Sequence, residues 1–284
     1  MEKIAVVTDT GSNLSFAQAK ELGIYLLPLQ ITIDETTYQD TLEISTQDIY
    51  KELANGKMPK TSMAAYQKIY DLFEELKKEY DTVFAVPLTN GLSTNASTMQ
   101  SIARELEMNV HVIDMYATCA LEKHVAIWIK KLVDENKSSE EILKIIQPAI
   151  DESNSLILVK NLQHLKRGGR LTPMAATLAG LLKIYPVLHI NKSTEGRIDV
   201  LNKVRTEKRA DAYAIDKVID DIDIEHTVIY IIHSNFLEGA DHFKKCFIEK
   251  GVPEQNIHID YISSVIAVHT GLGCIAIQYI REEN

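Results

Sequence analysis

Ile4-Ala-Val-Val-Thr8-Asp9-Thr10-Gly11-Ser12 decides the class of fold. An apolar run rich in β-branched residues stops at an Asp-Thr-Gly turn, and a helical pattern follows to about Leu22. That is strand, turn, helix. The same order recurs outward from it. Residues 24–33, 82–87 and 110–114 are further apolar runs, and residues 45–54, 64–79, 94–106, 119–135 and 138–152 have helical spacing. In the second of these helices Ile69, Leu72, Phe73 and Leu76 recur every three or four positions, the stripe of an amphipathic helix. Strands alternating with helices predict an α/β domain over residues 1–154, built on a parallel sheet covered on both faces.

Residues 155–284 read differently. Strands are predicted at 156–160, 186–190, 198–205, 227–233, 257–261 and 274–280, with helices at 172–183, 207–222 and 237–250. The second and third strands flank the turn-forming Asn191-Lys-Ser-Thr-Glu-Gly196 and suggest a hairpin. A hairpin among helices implies a second α/β domain with a mixed sheet. No flexible linker separates the halves, so they are expected to pack closely and leave a cleft as the natural ligand site.

The 284 residues are 45% apolar and 25% charged, the balance of an ordinary globular chain with room for two modest domains. With 40 Asp and Glu against 30 Lys and Arg, the formal charge is −10. No nucleic-acid partner is expected of such a chain, because that binding needs clustered positive charge. The cationic residues are concentrated, however. Residues 160–209 hold 11 Lys and Arg and 3 Asp and Glu, a local charge of +8 that can meet a partner's phosphates. The longest apolar stretches, 171–190 and 262–268, are interrupted by Lys183 and Pro186 or are too short for the roughly 20 residues that span a bilayer. No transmembrane helix is expected, although transient membrane contact is compatible with the basic band. Met1-Glu2-Lys3 runs straight into the first strand without a signal-peptide pattern, so a cytoplasmic location is expected. Cys119, Cys246 and Cys274 are far apart and form no C-x-x-C motif, and the nine histidines show no ligand spacing. Neither a disulfide framework nor a metal site is indicated, and no cofactor is expected.

Three polar turns share one layout: Thr8-Asp9-Thr10-Gly11-Ser12, Lys60-Thr61-Ser62 and Asn90-Gly91-Leu92-Ser93, each placed before a predicted helix. Any one of them is explained by helix capping. Three in one α/β domain also fit a crevice where helix N-termini and hydroxyls hold an anion. None has the G-x-G-x-x-G or G-x-x-x-x-G-K-[ST] spacing, which argues against dinucleotides and nucleoside triphosphates. His269 interrupts an apolar segment just ahead of Gly271 and Gly273. It reads either as a buried core histidine or as a site residue beside backbone that a ligand can approach closely. In Lys166-Arg-Gly-Gly-Arg170 a Gly-Gly bend can return Arg170 to the cleft, where guanidinium binds oxygens bidentately. The stretch with Leu178, Leu182 and Ile184 reads either as a core helix or, given the small residues among them, as a wall with room for a long apolar ligand.

Taken in order, these segments resemble the DegV family, whose fatty-acid-binding members are the FakB subunits of bacterial fatty acid kinase. The resemblance is carried by Thr8-Asp9-Thr10, Thr61-Ser62, Leu92-Ser93-Thr94, Leu165-Lys-Arg-Gly-Gly-Arg170 and Ala267-Val-His269-Thr270-Gly271-Leu-Gly273. Thr94, Val268 and Leu272 depart from the family pattern, which has Gly, Thr and Pro there. The resemblance implies two α/β domains enclosing one long-chain fatty acid. It also implies a non-catalytic role, in which the carboxyl group is presented to a separate kinase subunit that makes acyl phosphate from ATP for phospholipid synthesis. Thr61, Ser62, Ser93, Thr94, His269 and Thr270 would contact the carboxylate, and Arg170 and Asp9 would organise the site. Leu178, Leu182 and Ile184 would line the acyl pocket, and Arg205 would dock the kinase.

The rival reading is a lipid hydrolase or acyltransferase with Ser62 or Ser93 as nucleophile, His269 as base and Asp9 as its orienter. The residue types are present, but the G-x-S-x-G elbow is not.

Overall fold

The computed structural model describes residues 2–179 and 184–282. Strand β1 (Ile4–Asp9) is buried along its whole length, as a strand covered on both faces must be. A single 3₁₀ turn (Thr10–Ser12) leads to α1 (Phe16–Leu22), whose Ser15 and Gln18 form a reciprocal capping box. Then come β2 (Tyr25–Leu27), β3 (Gln30–Ile33), β4 (Thr36–Gln39), α2 (Thr46–Ala54), β5 (Lys60–Ser62), α3 (Tyr66–Leu76), β6 (Thr82–Val86), α4 (Asn95–Glu105), β7 (Val110–Val112), α5 (Ala120–Asp134) and α6 (Ser139–Glu152). Four of these strands make an all-parallel sheet in the order β2-β1-β6-β7. One face, with Ile4, Val6, Phe84 and Val86, packs on α5 and α6. The other, with Ala5, Val7, Val83 and Ala85, packs on α3 and α4. Phe73 and Phe84 are fully buried, and removing such a side chain from water contributes about 1.5–3 kcal/mol each.

Two local expectations are corrected. Residues 24–33 do not form one strand. Pro28 lies in the gap between β2, which joins the parallel sheet, and β3, which turns away into a small antiparallel sheet ordered β4-β3-β5. Lys60-Thr61-Ser62 is likewise not a helix cap. It is β5, paired with β3 so that Ile31 faces Thr61 and Gln30 faces Ser62. Helix α3 begins only at Tyr66, without a side-chain cap.

The rest of the chain supplies β8 (Asn154–Leu158), α7 (Leu162–Arg167), α8 (Pro173–Leu178), β9 (Tyr185–Ile190), β10 (Asp199–Val204), α9 (Glu207–Asp221), β11 (Thr227–His233), α10 (Leu237–Glu249), β12 (Ile257–Tyr261), α11 (Ser264–Thr270) and β13 (Ile275–Arg281). The six strands form a mixed sheet ordered β10-β9-β8-β13-β11-β12, antiparallel throughout except for the parallel pair β11 and β12. The expected hairpin is the antiparallel β9–β10 pair. The outer face of the six-stranded sheet, including Ile229, Ile231 and Ile277, is covered by α9 through Ala210, Ala214 and Val218 and by α10 through Phe243 and Phe247. Its inner face, with Ile157, Leu188, Ile190, Ile232 and Ala276, looks toward the first half of the chain. Helix α11 is wedged between: Val265 and Val268 pack into the core of the parallel sheet and Ala267 into the inner face of the mixed one. The fold is thus a two-domain α/β architecture, one sheet parallel and one mixed.

Candidate functional site

The wedge helix α11 brings one face of each half together around a cavity of about 430 Å³. Its wall includes Thr61 and Ser62 from β5, residues 90–94 from the turn after β6, Arg170 from the turn after α7, and His269 and Thr270 from the end of α11. Leu29, Met63, Leu88, Leu92, Ile198, Val265 and Ile266 supply the apolar remainder.

His269 Nε2 lies 2.7 Å from Thr61 Oγ1, joining the last turn of α11 to the edge of the small sheet. Burial pushes the imidazole pKa down to about 3, and the charge of Arg170 adds to the effect. The ring is therefore neutral at physiological pH. The Gly168-Gly169 pair does two separate jobs here. A Cβ on Gly168 would stand 2.9 Å from His269 Nδ1, so only glycine lets this turn close on the ring. Gly169 has φ +73°, the left-handed region that glycine enters without strain. Together they carry Arg170 into the pocket wall, where Nη1 donates to Gly168 O at 2.7 Å.

The turn after β6 is held from both sides. On one, a Cβ at Gly91 would come within 2.2 Å of the Gly196 backbone, so the β9–β10 connection of the second half seats directly on it. On the other, Asp9 accepts hydrogen bonds from Leu88 N (2.9 Å) and from Asn95 Nδ2 (2.6 Å). Ser93 Oγ accepts from the backbone N–H of Asn95, the first residue of α4, at 3.2 Å. Thr94 sits at φ −86°, ψ 5°, open to any residue, and its hydroxyl points at Met63 Sδ, 3.5 Å away.

The family model described as "Uncharacterised protein, DegV family" matches residues 3–282. The chain belongs to the DegV family. A DegV domain-containing protein of Halalkalibacterium halodurans is 32% identical over 289 residues, covering 100% of both chains. Among solved structures, the fold is similar to a fatty acid binding DegV family protein from Streptococcus agalactiae, with a TM-score of 0.91, 30% identity and 100% of both chains covered. It is also similar to DegV, a fatty acid binding protein from Bacillus subtilis, with a TM-score of 0.86, 27% identity, and 99% of this chain and 100% of that one covered.

In this DegV chain the serine-hydrolase arrangement is not assembled. His269 bonds Thr61 rather than either serine. Ser62 Oγ donates to Gln30 Oε1 at 3.0 Å, and Ser93 Oγ accepts from Asn95 N. Asp9 lies behind the turn, fully buried, with N–H groups of Gly11, Leu88 and Asn95 as its partners. The Thr270 hydroxyl turns back on its own helix, 3.3 Å from Ile266 O. Arg205 is exposed beside Thr206, the cap of α9, and is no part of the pocket wall.

Two of the three residues expected to line the acyl pocket are described. Leu178 is buried in α8 and Ile184 is half-buried, but neither lines the pocket, and Leu182 lies outside the described residues. Further in lies a separate void of about 20 Å³ whose lining shares Ile266 and Thr270 with the pocket. Its other walls include Ile157, Ile190, Ile232, Ile262 and Ala276 from the inner face of the mixed sheet and the residues just after it. Sequence reasoning does not single these out, because a cavity-lining isoleucine and a core isoleucine have the same period of two. It also missed His164, whose Nε2 donates to Val268 O at 2.8 Å and ties α7 to α11.

A larger groove of about 520 Å³ lies on the outer face between α9 and α10. Its Lys160 is already paired with Glu207 and sits 4.8 Å over the Phe236 ring. Among the described residues, no group of three or more His, Cys, Asp or Glu is placed to hold a metal ion, and no helix is long and apolar enough to cross a membrane.

Proposed function

We propose that this chain encloses one long-chain fatty acid and presents its carboxyl group at the Thr61–His269 pocket to a separate kinase subunit for ATP-dependent acyl phosphate formation. The observation that carries the reading is a pocket that sets a neutral imidazole, a hydroxyl and an arginine beside apolar side chains from both halves of the chain. The solved relatives described as fatty acid binding support the choice of ligand.

The physical roles follow from the donors. A neutral His269 that donates Nε2–H to Thr61 Oγ1 frees the threonine proton for a carboxylate oxygen. Among the described residues, Arg170 supplies the one positive charge in the wall. A carboxylate held mostly by neutral donors keeps an oxygen for attack on a phosphoryl group brought by the partner, and the protein's part is positioning. Each methylene buried along the inner sheet adds about 0.8 kcal/mol, so affinity requires no covalent step. Exposed Arg205, in the basic band, is the proposed contact for the kinase or its phosphates.

Native mass spectrometry of the chain purified from a bacterial host tests the reading, with one fatty acid per chain as the expected result. A chain that is empty, and takes up no fatty acid when offered one, overturns it. Release of alcohol or thiol from acyl esters, lost on Ser93→Ala, would favour the hydrolase instead.

A further inference from the structure

Behind the pocket, at the junction of β1, the 3₁₀ turn and the first turn of α5, two acidic side chains are completely buried: Asp9 and Glu122. They face one point. A Cβ built on Gly11 would stand 2.8 Å from Asp9 Oδ1 and 3.0 Å from Glu122 Oε2, so only glycine fits between them. The hydrogen-bond inventory then separates the two carboxyls. Asp9 accepts from three N–H groups, those of Gly11, Leu88 and Asn95, which suits a carboxylate. Glu122 meets no such donor. Its Oε1 is 3.2 Å from Thr8 Oγ1, yet the single Thr8 hydroxyl proton has a better acceptor in Val86 O at 2.7 Å. Its Oε2 has no donor at all and looks toward Asp9. An ionised Glu122 would face only acceptors, whereas a carboxylic acid has a partner.

We propose that Glu122 is a positioning residue for the head-group pocket: it keeps its proton and donates it to Asp9, so that Asp9 remains the carboxylate that anchors both ends of residues 88–95. The inference rests on the fatty-acid reading only in saying what that turn is for. Burial and the neighbouring Asp9 charge push Glu122 well above the usual carboxylate range; burial raises Asp9 as well, but there three N–H donors offset part of the effect. The ionisable groups facing Glu122 are Asp9 from β1 and the Cys119 thiol at the start of α5. Asp40 is a further buried acid near enough to feel the Asp9 charge. As pH rises past the ordinary glutamate range, the unfolded chain releases the Glu122 proton and the folded chain keeps it, so stability falls with pH.

The test uses the full chain and three variants. Infrared difference spectra of wild type against Glu122→Gln near neutral pH are expected to show a protonated-carboxyl stretch in wild type that the variant lacks. Glu122→Gln, whose amide still donates to Asp9, is expected to bind palmitate within about 2-fold of wild type and to lose part of the fall of Tm with rising pH. Glu122→Leu, which cannot donate, is expected to bind at least about 10-fold more weakly. Glu122→Ala provides the same readout if the leucine variant does not fold. A missing infrared band, or a folded Glu122→Leu or Glu122→Ala that binds like wild type, overturns the proposal. If wild type binds no palmitate, the fatty-acid reading fails, while the infrared band and the pH slope still decide whether Glu122 holds the proton.

Discussion

The two polar clusters that meet the turn at residues 88–95 solve the problem of burial in opposite ways. In front, at the pocket, the buried group is a base that gives up its charge: His269, neutral and bonded to Thr61. Behind, the buried groups are acids held by N–H donors and by retained protons: Asp9, Glu122 and Asp40, the last pushed up to about 6 by burial. A neutral imidazole leaves Arg170 as the cation beside Thr61 in the front cluster, whereas at the back Asp9 uses its acceptors to hold the backbone of Gly11 and Leu88. One cluster receives and the other positions.

The largest effect is expected where the two are joined. Gly91→Val drives a side chain into the Gly196 backbone, 2.2 Å from where its Cβ would stand. It should destabilise the chain by about 3 kcal/mol, lowering Tm by roughly 10 °C in a thermal melt, and should weaken fatty acid binding as well. The next test acts on the front alone. Thr61→Val removes the hydroxyl paired with His269 and should weaken binding roughly 10-fold in a fluorescence displacement titration. Ser62→Ala, whose hydroxyl is engaged by Gln30, should stay within about 2-fold.

The contrast predicts opposite pH slopes. His269 has a folded pKa near 3 against an ordinary value of about 6.5, so its contribution to stability is complete above that ordinary value and is lost as pH falls toward 3. Asp40, raised to about 6, contributes fully below the usual carboxylate range and loses that contribution as pH climbs to 6. In Tm measured against pH, His269→Gln should flatten the acid limb and Asp40→Asn should flatten the stretch between about 4 and 6. The reverse assignment of slopes would break the comparison. The smallest effect on binding is expected from Arg205→Glu, which lies outside both clusters: affinity within about 2-fold, with acyl phosphate formation by the kinase reduced.

What the chain reveals before folding is what local rules decide. The Ile4 strand, the capping box of Ser15 with Gln18, the Thr206 cap and the β9–β10 hairpin follow from neighbouring residues alone. The identity of β5 does not, because Lys60-Thr61-Ser62 is extended only through its pairing with β3. Nor does α11, whose β-branched residues are held helical by burial between the two halves. That Thr61, Ser93, Arg170 and His269 line one pocket was visible only through the order of the motifs, since they come from four distant segments. Glu122 left no signal, because a glutamate in a first helical turn is ordinary and only the fold turns it toward Asp9.

The most direct test of the account is a carbon-13 NMR titration of carboxyl-labelled palmitate into delipidated protein. One bound carboxyl resonance per chain is predicted, shifted in Thr61→Val and His269→Gln and unchanged in Ser62→Ala. No bound resonance, or one that is indifferent to Thr61 and His269, would contradict it.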